Sequence, residues 1–274
     1  MGEIKNEWQA EHYQQLSPAG VNSYEVSYRK CAKFCNMHFT DIKYKQWQSI
    51  ITDMHDRGLS YSSQKKFRNL VGQLCKFAIK NEYAMINYAP MLSLDKNIPV
   101  HVKIPYTPDE IQILWDNVAV PDVDKILMLI YTGVRISEFL RIKTHEDIFI
   151  DKRYFIVRKS KTLAGSNRPV PIHRKINDFF NKYIEMDNEY LISNNGHKMS
   201  YTTFRARYNR ALRIVGLKHT IHECRHTCAT LLDNAGANDM CIRKILGHAG
   251  NGVTKQVYIH KNINALISAM DLVK

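Results

Sequence analysis

Apolar residues recur at helical spacing along most of the chain, and the places where that period fails divide it. Phe67, Leu70, Val71, Leu74, Phe77 and Ala78 follow Ser62 and Ser63 at i, i+3, i+4, i+7 intervals, which predicts an amphipathic helix over 61–82. Its other face carries Lys65, Lys66, Arg68, Lys76 and Lys80. Tyr24, Tyr28, Cys31, Cys35 and Phe39 repeat the helical period earlier, and a shorter helix fits Trp47 to Met54 with Gly58 as its stop. Residues 1–90 therefore read as a small bundle of three or four helices with a basic face. From about 87 to 106 the pattern is lost and Pro90, Pro99 and Pro105 punctuate the chain, so 91–106 reads as a linker.

A second domain, 107–274, begins at Thr107-Pro108-Asp109-Glu110, a capping box with proline at the first helical position, followed by the stripe Ile111, Leu114, Trp115, Val118. Lys125–Tyr131 and Ile136–Ile142 read as buried helices around Gly133. Residues 148–158 and 168–172 hold β-branched and aromatic runs broken by Asp151-Lys152-Arg153, which predict a small sheet of hairpins. Helices resume near Ile176 and after Ser200, and another runs from His222 to about Asn234. Asn238 caps a short helix to Leu246, closed by Gly247. Ile263, Leu266, Ile267, Met270 and Leu272 make an apolar tail helix. The expected fold class is mainly α with a small β-sheet (α+β).

Charge points to the partner. The 274 residues carry 39 Lys and Arg against 26 Asp and Glu, a net +13, and a polyanion is the natural complement. The excess is shared, +4 over residues 1–100 and +9 over 101–274, which suits two domains that both touch a phosphate backbone. Cys31, Cys35, Cys75, Cys224, Cys228 and Cys241 sit mostly in helical segments, with Cys-x3-Cys spacing unsuited to disulfides, so reduced thiols and a cytoplasmic protein are expected. Neither an N-terminal apolar h-region nor a run of 18 apolar residues occurs, so no membrane association is expected.

The chemistry concentrates between His222 and Tyr258. His222 and Arg225 share one face of a helix start, with His226 off that face; His248 follows Leu-Gly where a helix has ended, and Tyr258 comes ten residues later. Arg135, just after Thr-Gly, supplies a second guanidinium. Paired guanidiniums each donate two hydrogen bonds to non-bridging phosphate oxygens; the alternative partners are carboxylates, such as Glu138 or Glu223. Lys161, in Arg-Lys-Ser-Lys-Thr, could give a proton to a leaving oxygen from a hairpin tip, and Lys159 lies on the same strand face if the strand continues. His222, Cys224, His226 and Cys228 scatter around a helix rather than converging on zinc. Neither a Walker loop nor a two-metal acidic cluster occurs, so no cofactor and no metal are expected.

Thr132-Gly133-Val134-Arg135-Ile136-Ser137-Glu138, then Ser160-Lys161-Thr162, then His222-Glu223-Cys224-Arg225-His226, then Leu246-Gly247-His248, then Tyr258 stand in an order and spacing that resembles the tyrosine recombinase (phage-type integrase) family. The resemblance is strong over 107–262; residues 5–90 loosely resemble that family's helical core-binding domain. It implies a C-shaped clamp on double-stranded DNA and site-specific recombination for a phage or mobile element. Tyr258 would attack the scissile phosphate to leave a 3′-phosphotyrosine and a free 5′-hydroxyl. Arg135 and Arg225 would hold non-bridging oxygens, Lys161 would protonate the leaving 5′ oxygen, His222 would assist proton transfer, and His248 would bind the phosphate. Glu138 would support the arginine pair. Lys65, Lys66, Arg68, Lys76 and Lys159 are candidate DNA contacts.

The resemblance further implies a homotetramer on synapsed DNA, a monomer in solution, and accessory proteins for bending or directionality. The tail helix would pack on its own domain or on a neighbouring protomer, and the sequence starts directly with the core-binding segment, so that an arm-site domain of the kind many phage and transposon integrases carry is either lacking or trimmed away. Two departures from the family pattern are an interval from His248 to Tyr258 one residue longer than usual, and a long hairpin Thr162–Arg168 that leaves Lys161 or Lys159 as the acid. A type IB topoisomerase or a catalytically silent DNA-binding regulator would share these residues; the separate helical domain and short tail after Tyr258 favour recombination.

Overall fold

The computed structural model describes residues 1–96, 103–160, 163–248 and 263–274. The chain divides into two compact units, 1–101 and 102–274.

The first unit is helical. Its α-helices are α1 (Gly2–His12), α2 (Pro18–Tyr28), α3 (Tyr44–Asp56) and α4 (Tyr61–Lys80). The long α4 is the element on which the other three pack, because its stripe from Phe67 to Ala78 is buried whole. Trp47, Ile50 and Met54 of α3 and Trp8 of α1 complete that core. Ser60 caps α4 by accepting from the Ser63 amide. The candidate DNA contacts Lys65, Lys66 and Lys76 are exposed on α4, and Arg68 is half-buried.

The helical period from Tyr24 to Phe39 does not give one helix. The α-helix ends at Tyr28 and the chain continues as tighter turns over Arg29–Phe34, with Cys31 off helical geometry (φ −106°, ψ 16°). The Cys31 thiol turns back to donate to the Tyr28 carbonyl at 3.1 Å. Three-residue turns carry Cys31, Phe34 and Phe39 inward and leave Cys35 exposed. Packing also reaches into the stretch read as a linker. Leu92 is buried against the helical unit, and the Asp95 amide donates to Gln64 Oε1 at 3.0 Å.

The second unit surrounds α6. Its elements in order are α5 (Pro108–Asp116), α6 (Val123–Thr132), α7 (Ile136–Phe139), α8 (Thr144–Asp147), β1 (Ile148–Phe149), β2 (Tyr154–Val157), β3 (Arg168–Pro171), α9 (Asn177–Glu185), β4 (Ser193–Asn194), β5 (His197–Lys198), α10 (Tyr201–Ile214), α11 (Ile221–Asn234), α12 (Asp239–Leu246) and α13 (Ile263–Met270). All ten residues of α6 are buried, against α5, α9, α10 and α11. The sheet is antiparallel in the order β1-β2-β3, with Phe155 opposite Val170, and β4 pairs with β5 as a separate hairpin. The helix expected over Ile136–Ile142 is a single turn, α7; the Glu138 side chain returns to the Arg135 amide to cap it. The tail helix α13 packs on its own unit, against β3 and α12. Asp271 pairs with Arg153 through two bonds of 2.9 and 2.6 Å, and His173 Nε2 meets the Val273 carbonyl at 2.9 Å.

Gly133 ends α6 with φ +63° and permits a close approach: a Cβ there would lie 2.6 Å from Leu246 Cδ2 and 2.8 Å from Cys228 Sγ. Gly236 has φ +74° with nothing within 4 Å of such a Cβ. Gly133→Ala is therefore expected to destabilise the fold by about 1–3 kcal/mol more than Gly236→Ala, the usual range for overpacking a core. Urea unfolding of both variants checks this; equal losses would contradict the close approach.

Candidate functional site

Three helix ends converge on one guanidinium. The third residue of α11 fixes its start: Glu223 Oε2 accepts from the Thr220 amide at 2.6 Å. Arg225 then lies in the second turn, 5% exposed. Its Nη1 donates to the Gly133 carbonyl at 2.7 Å and its Nη2 donates to the Leu246 carbonyl. Gly133 closes α6 and Leu246 is the last residue of α12, so the cation sits where two helix C-termini gather partial negative charge. Glu223 is occupied elsewhere, by the Thr220 amide and by His219. Among the described residues Arg225 is ion-paired with no carboxylate, contrary to the alternative that Glu223 holds it.

Arg135 takes the other alternative. Two residues after Gly133 it serves as N-cap of α7, and its Nη1 donates to Glu138 Oε1 at 2.9 Å. The Glu138 side chain is fully buried. Its Oε1 also accepts from Ser160 Oγ at 2.5 Å, and its Oε2 accepts from the Arg135 amide at 3.0 Å and from Arg168 Nη2 at 2.7 Å. Desolvation alone would raise this carboxyl; the bond and charge of Arg168, then Ser160 and the Arg135 amide, outweigh it and hold the pKa at about 2. Being depressed, it contributes stability that is complete above the ordinary carboxylate range and lost as pH falls toward 2.

Two guanidiniums thus share one carboxylate while Arg225 has only backbone carbonyls, and the surplus charge is felt around them. Burial, followed by the charge of Arg135, lowers the Arg225 pKa to about 10, so it stays protonated at neutral pH. His222 reaches solvent, yet partial desolvation, then Lys103, His226, Arg225 and Arg135, lower its imidazole to about 4. His248, exposed just past the Gly247 turn, is lowered as well, by desolvation and then by Arg225, Arg135, Arg243 and Arg168. Both imidazoles are neutral at pH 7 and can accept a proton or a hydrogen bond. The region suits an oxyanion.

The structure therefore brings together Arg135, Glu138, His222, Arg225 and His248. Tyr258 and Lys161 lie outside the described residues. Lys159 is exposed, and because β2 ends at Val157 the strand alternation invoked for it does not extend that far. His226 is not off the His222 face: one helical turn on, its ring stands edge-on to that of His222 with centroids 4.9 Å apart. Sequence reasoning passed over Arg168, Ser160 and Lys103. Ser160 and Arg168 flank the hairpin of the Ser-Lys-Thr motif, but no spacing rule says that their side chains turn inward. Among the described residues no group of three or more His, Cys, Asp or Glu could hold a metal ion, and no helix is long and apolar enough to cross a membrane.

A two-unit chain with a basic, phosphate-suited site in its second unit defines the class, and residues 106–265 match the phage integrase family, to which this chain belongs. It is 33% identical over 217 residues to tyrosine recombinase XerA of Pyrococcus horikoshii, covering 75% of this chain and 73% of the relative. A tyrosine recombinase of Thermosipho africanus is 23% identical over 261 residues, 91% of each chain. Among solved structures, the Tn1549 transposon integrase in complex with circular intermediate DNA shares the fold with a TM-score of 0.73 at 21% identity, over 98% of this chain and 97% of that one. A lambda integrase dimer bound to a COC′ core site gives a TM-score of 0.76 at 19% identity, over 92% and 75%. Tyrosine recombinases are DNA-cleaving and rejoining enzymes, and this chain is one.

In the DNA-free protein the His222 ring is expected to titrate near 4 rather than near its ordinary value of about 6.5, with Lys103→Gln moving it upward. The stability tied to neutral His222 is complete above the unfolded value and falls as pH drops toward 4. Histidine ring resonances followed by NMR across pH 3–8 check it; titration at or above the ordinary value would contradict the surplus of positive charge.

Proposed function

We propose that this enzyme is a site-specific recombinase, the integrase of a phage or mobile element, that cuts and reseals DNA through Tyr258. The observation that carries the reading is the placement of Arg225 and Arg135: two guanidiniums fixed by backbone carbonyls and by Glu138, beside two neutral imidazoles. Such fixed donors stabilise the charge that develops on a phosphate in its pentacoordinate transition state. Arg135 and Arg225 hold the non-bridging oxygens, and His248 adds a hydrogen bond. His222, neutral, takes the proton from the Tyr258 hydroxyl as it attacks phosphorus. The bond to the 5′ oxygen breaks, Lys161 protonates that oxygen, and the DNA is left as a 3′-phosphotyrosine with a free 5′-hydroxyl. The phosphotyrosine conserves the ester, so attack by a 5′-hydroxyl reseals the strand without ATP or metal.

Double-stranded DNA bearing specific recombination sites is the proposed substrate, gripped mainly through phosphates by both units, with Lys65, Lys66, Arg68 and Lys76 of α4 and Lys159 among the contacts. The working assembly is a homotetramer on synapsed DNA formed from monomers, with accessory proteins setting direction. A lambda integrase tetramer bound to a Holliday junction, similar to this chain at a TM-score of 0.72, supports that reading.

A nicked suicide duplex carrying the cognate site is expected to trap a covalent adduct with wild-type protein and none with Tyr258→Phe. Arg225→Lys should bind the duplex nearly normally and form adduct about 10²–10³-fold more slowly, as for loss of one oxyanion donor. No wild-type adduct, or an unchanged one with Tyr258→Phe, would contradict the assignment.

A further inference from the structure

Arg168 opens β3, where a charged residue at a strand start would ordinarily face solvent, yet its side chain is only 4% exposed. Its guanidinium is spent on three acceptors. Nη2 donates to Glu138 Oε2 at 2.7 Å, Nε to the Ile245 carbonyl at 3.1 Å, and Nη1 to the Gly165 carbonyl. Each acceptor belongs to a segment that carries a proposed site residue. Glu138 orients Arg135. Ile245 lies in the last turn of α12, three residues before His248. Gly165 ends the turn over Leu163–Gly165, close in sequence to Lys161. The packing leaves no slack around the fork: a Cβ on Gly247 would lie 2.9 Å from both Arg168 Cζ and Nε.

Burying an ion pair is a poor way to add stability, because desolvating two charges cancels most of their attraction, and apolar residues of similar volume often do as well. What the planar, forked guanidinium adds is geometry: three acceptors held at fixed angles at once, which a lysine ammonium on a flexible stem cannot reproduce. Glu138 would satisfy its capping role on α7 without Arg168, and α12 would end at Gly247 without it. Arg168 makes the two endings move as one.

The geometry points to Arg168 as a positioning residue for strand cleavage: buried away from DNA, it registers Arg135 and His248 against each other on either side of Arg225. This rests on the proposed reading of Arg135 and His248 as phosphate ligands, while the grip itself is independent of that reading. Arg168→Lys in the full chain tests it, because it keeps the charge opposite Glu138 and removes the fork. The variant is expected to stay folded and to bind the suicide duplex within about twofold of wild type. Its single-turnover adduct formation at saturating duplex should fall about 10²-fold, the penalty for misplacing reacting groups by about an ångström. Hydrogen exchange should also quicken at the Gly247 and His248 amides, which wild type bonds to the Lys244 and Arg243 carbonyls at 3.2 and 3.0 Å.

A folded variant with wild-type rate and wild-type exchange would overturn the proposal. So would a slow variant that regains the wild-type rate when cooled to where it is fully folded, since that marks a loss of fold alone. If Arg168→Lys fails to fold, Arg168→Gln takes its place with the same outcomes. Should wild-type protein form no adduct, the cleavage reading fails, and the exchange of Gly247 and His248 still decides the grip.

Discussion

One buried carboxylate organises the second unit's basic surface. Glu138 sits in a single-turn helix, fully desolvated, and accepts from the Arg135 side chain and amide, from Ser160 and from Arg168. A lone carboxylate in that position would have to stay protonated; with two guanidiniums it is ionised to about pH 2. The constraint runs both ways, since Arg168 is buried and would itself be stranded without Glu138. Through this exchange the start of α7, the end of the β2 segment and the first residue of β3 are tied together, and Arg168 extends the tie to α12.

Arg225 is held on a different principle. Helix-terminal carbonyls supply its partners, so its charge is oriented without being cancelled by a carboxylate. Desolvation first, and then the neighbouring cations, lower both nearby histidines and Arg225 itself. A phosphate entering such a place would remove an electrostatic strain that the free protein carries. The same field keeps the imidazoles unprotonated at neutral pH, the state in which one can accept a tyrosine's proton. Gly133 links these facts to the fold, because its missing side chain lets α6 approach α11 and α12 closely enough for its carbonyl to reach Arg225.

Much of this was legible in the residue order, for physical reasons that can be named. The capping box at Thr107 and the Gly247 turn are local rules, and they place the start of α5 and the stop of α12 just before His248. The apolar stripe of α4 is long enough to leave no ambiguity of period. The break at Cys31 was not legible, because three- and four-residue steps satisfy an α-helix and a chain of tighter turns alike. The first helix offers only Ile4 and Trp8 as buried apolar anchors. Arg168 was invisible for another reason: in Arg-Pro-Val-Pro a basic residue reads as a solvated strand end, and only tertiary contact reveals that it is sealed against Glu138. Arg135 and Arg225 looked equivalent in sequence, whereas one binds a carboxylate and the other binds helix ends.

The central claim is that this arginine-rich surface presents a DNA phosphate to Tyr258. Its most direct test is peptide mapping by mass spectrometry of the covalent complex trapped on a suicide duplex. Trypsin cleavage after Lys255 and Lys261 would release Gln256-Val-Tyr258-Ile-His-Lys261, which holds a single tyrosine. The account predicts a nucleotide 3′-phosphate on that peptide, and none when Arg135 is replaced by glutamine. A nucleotide on any other tyrosine-bearing peptide would contradict it.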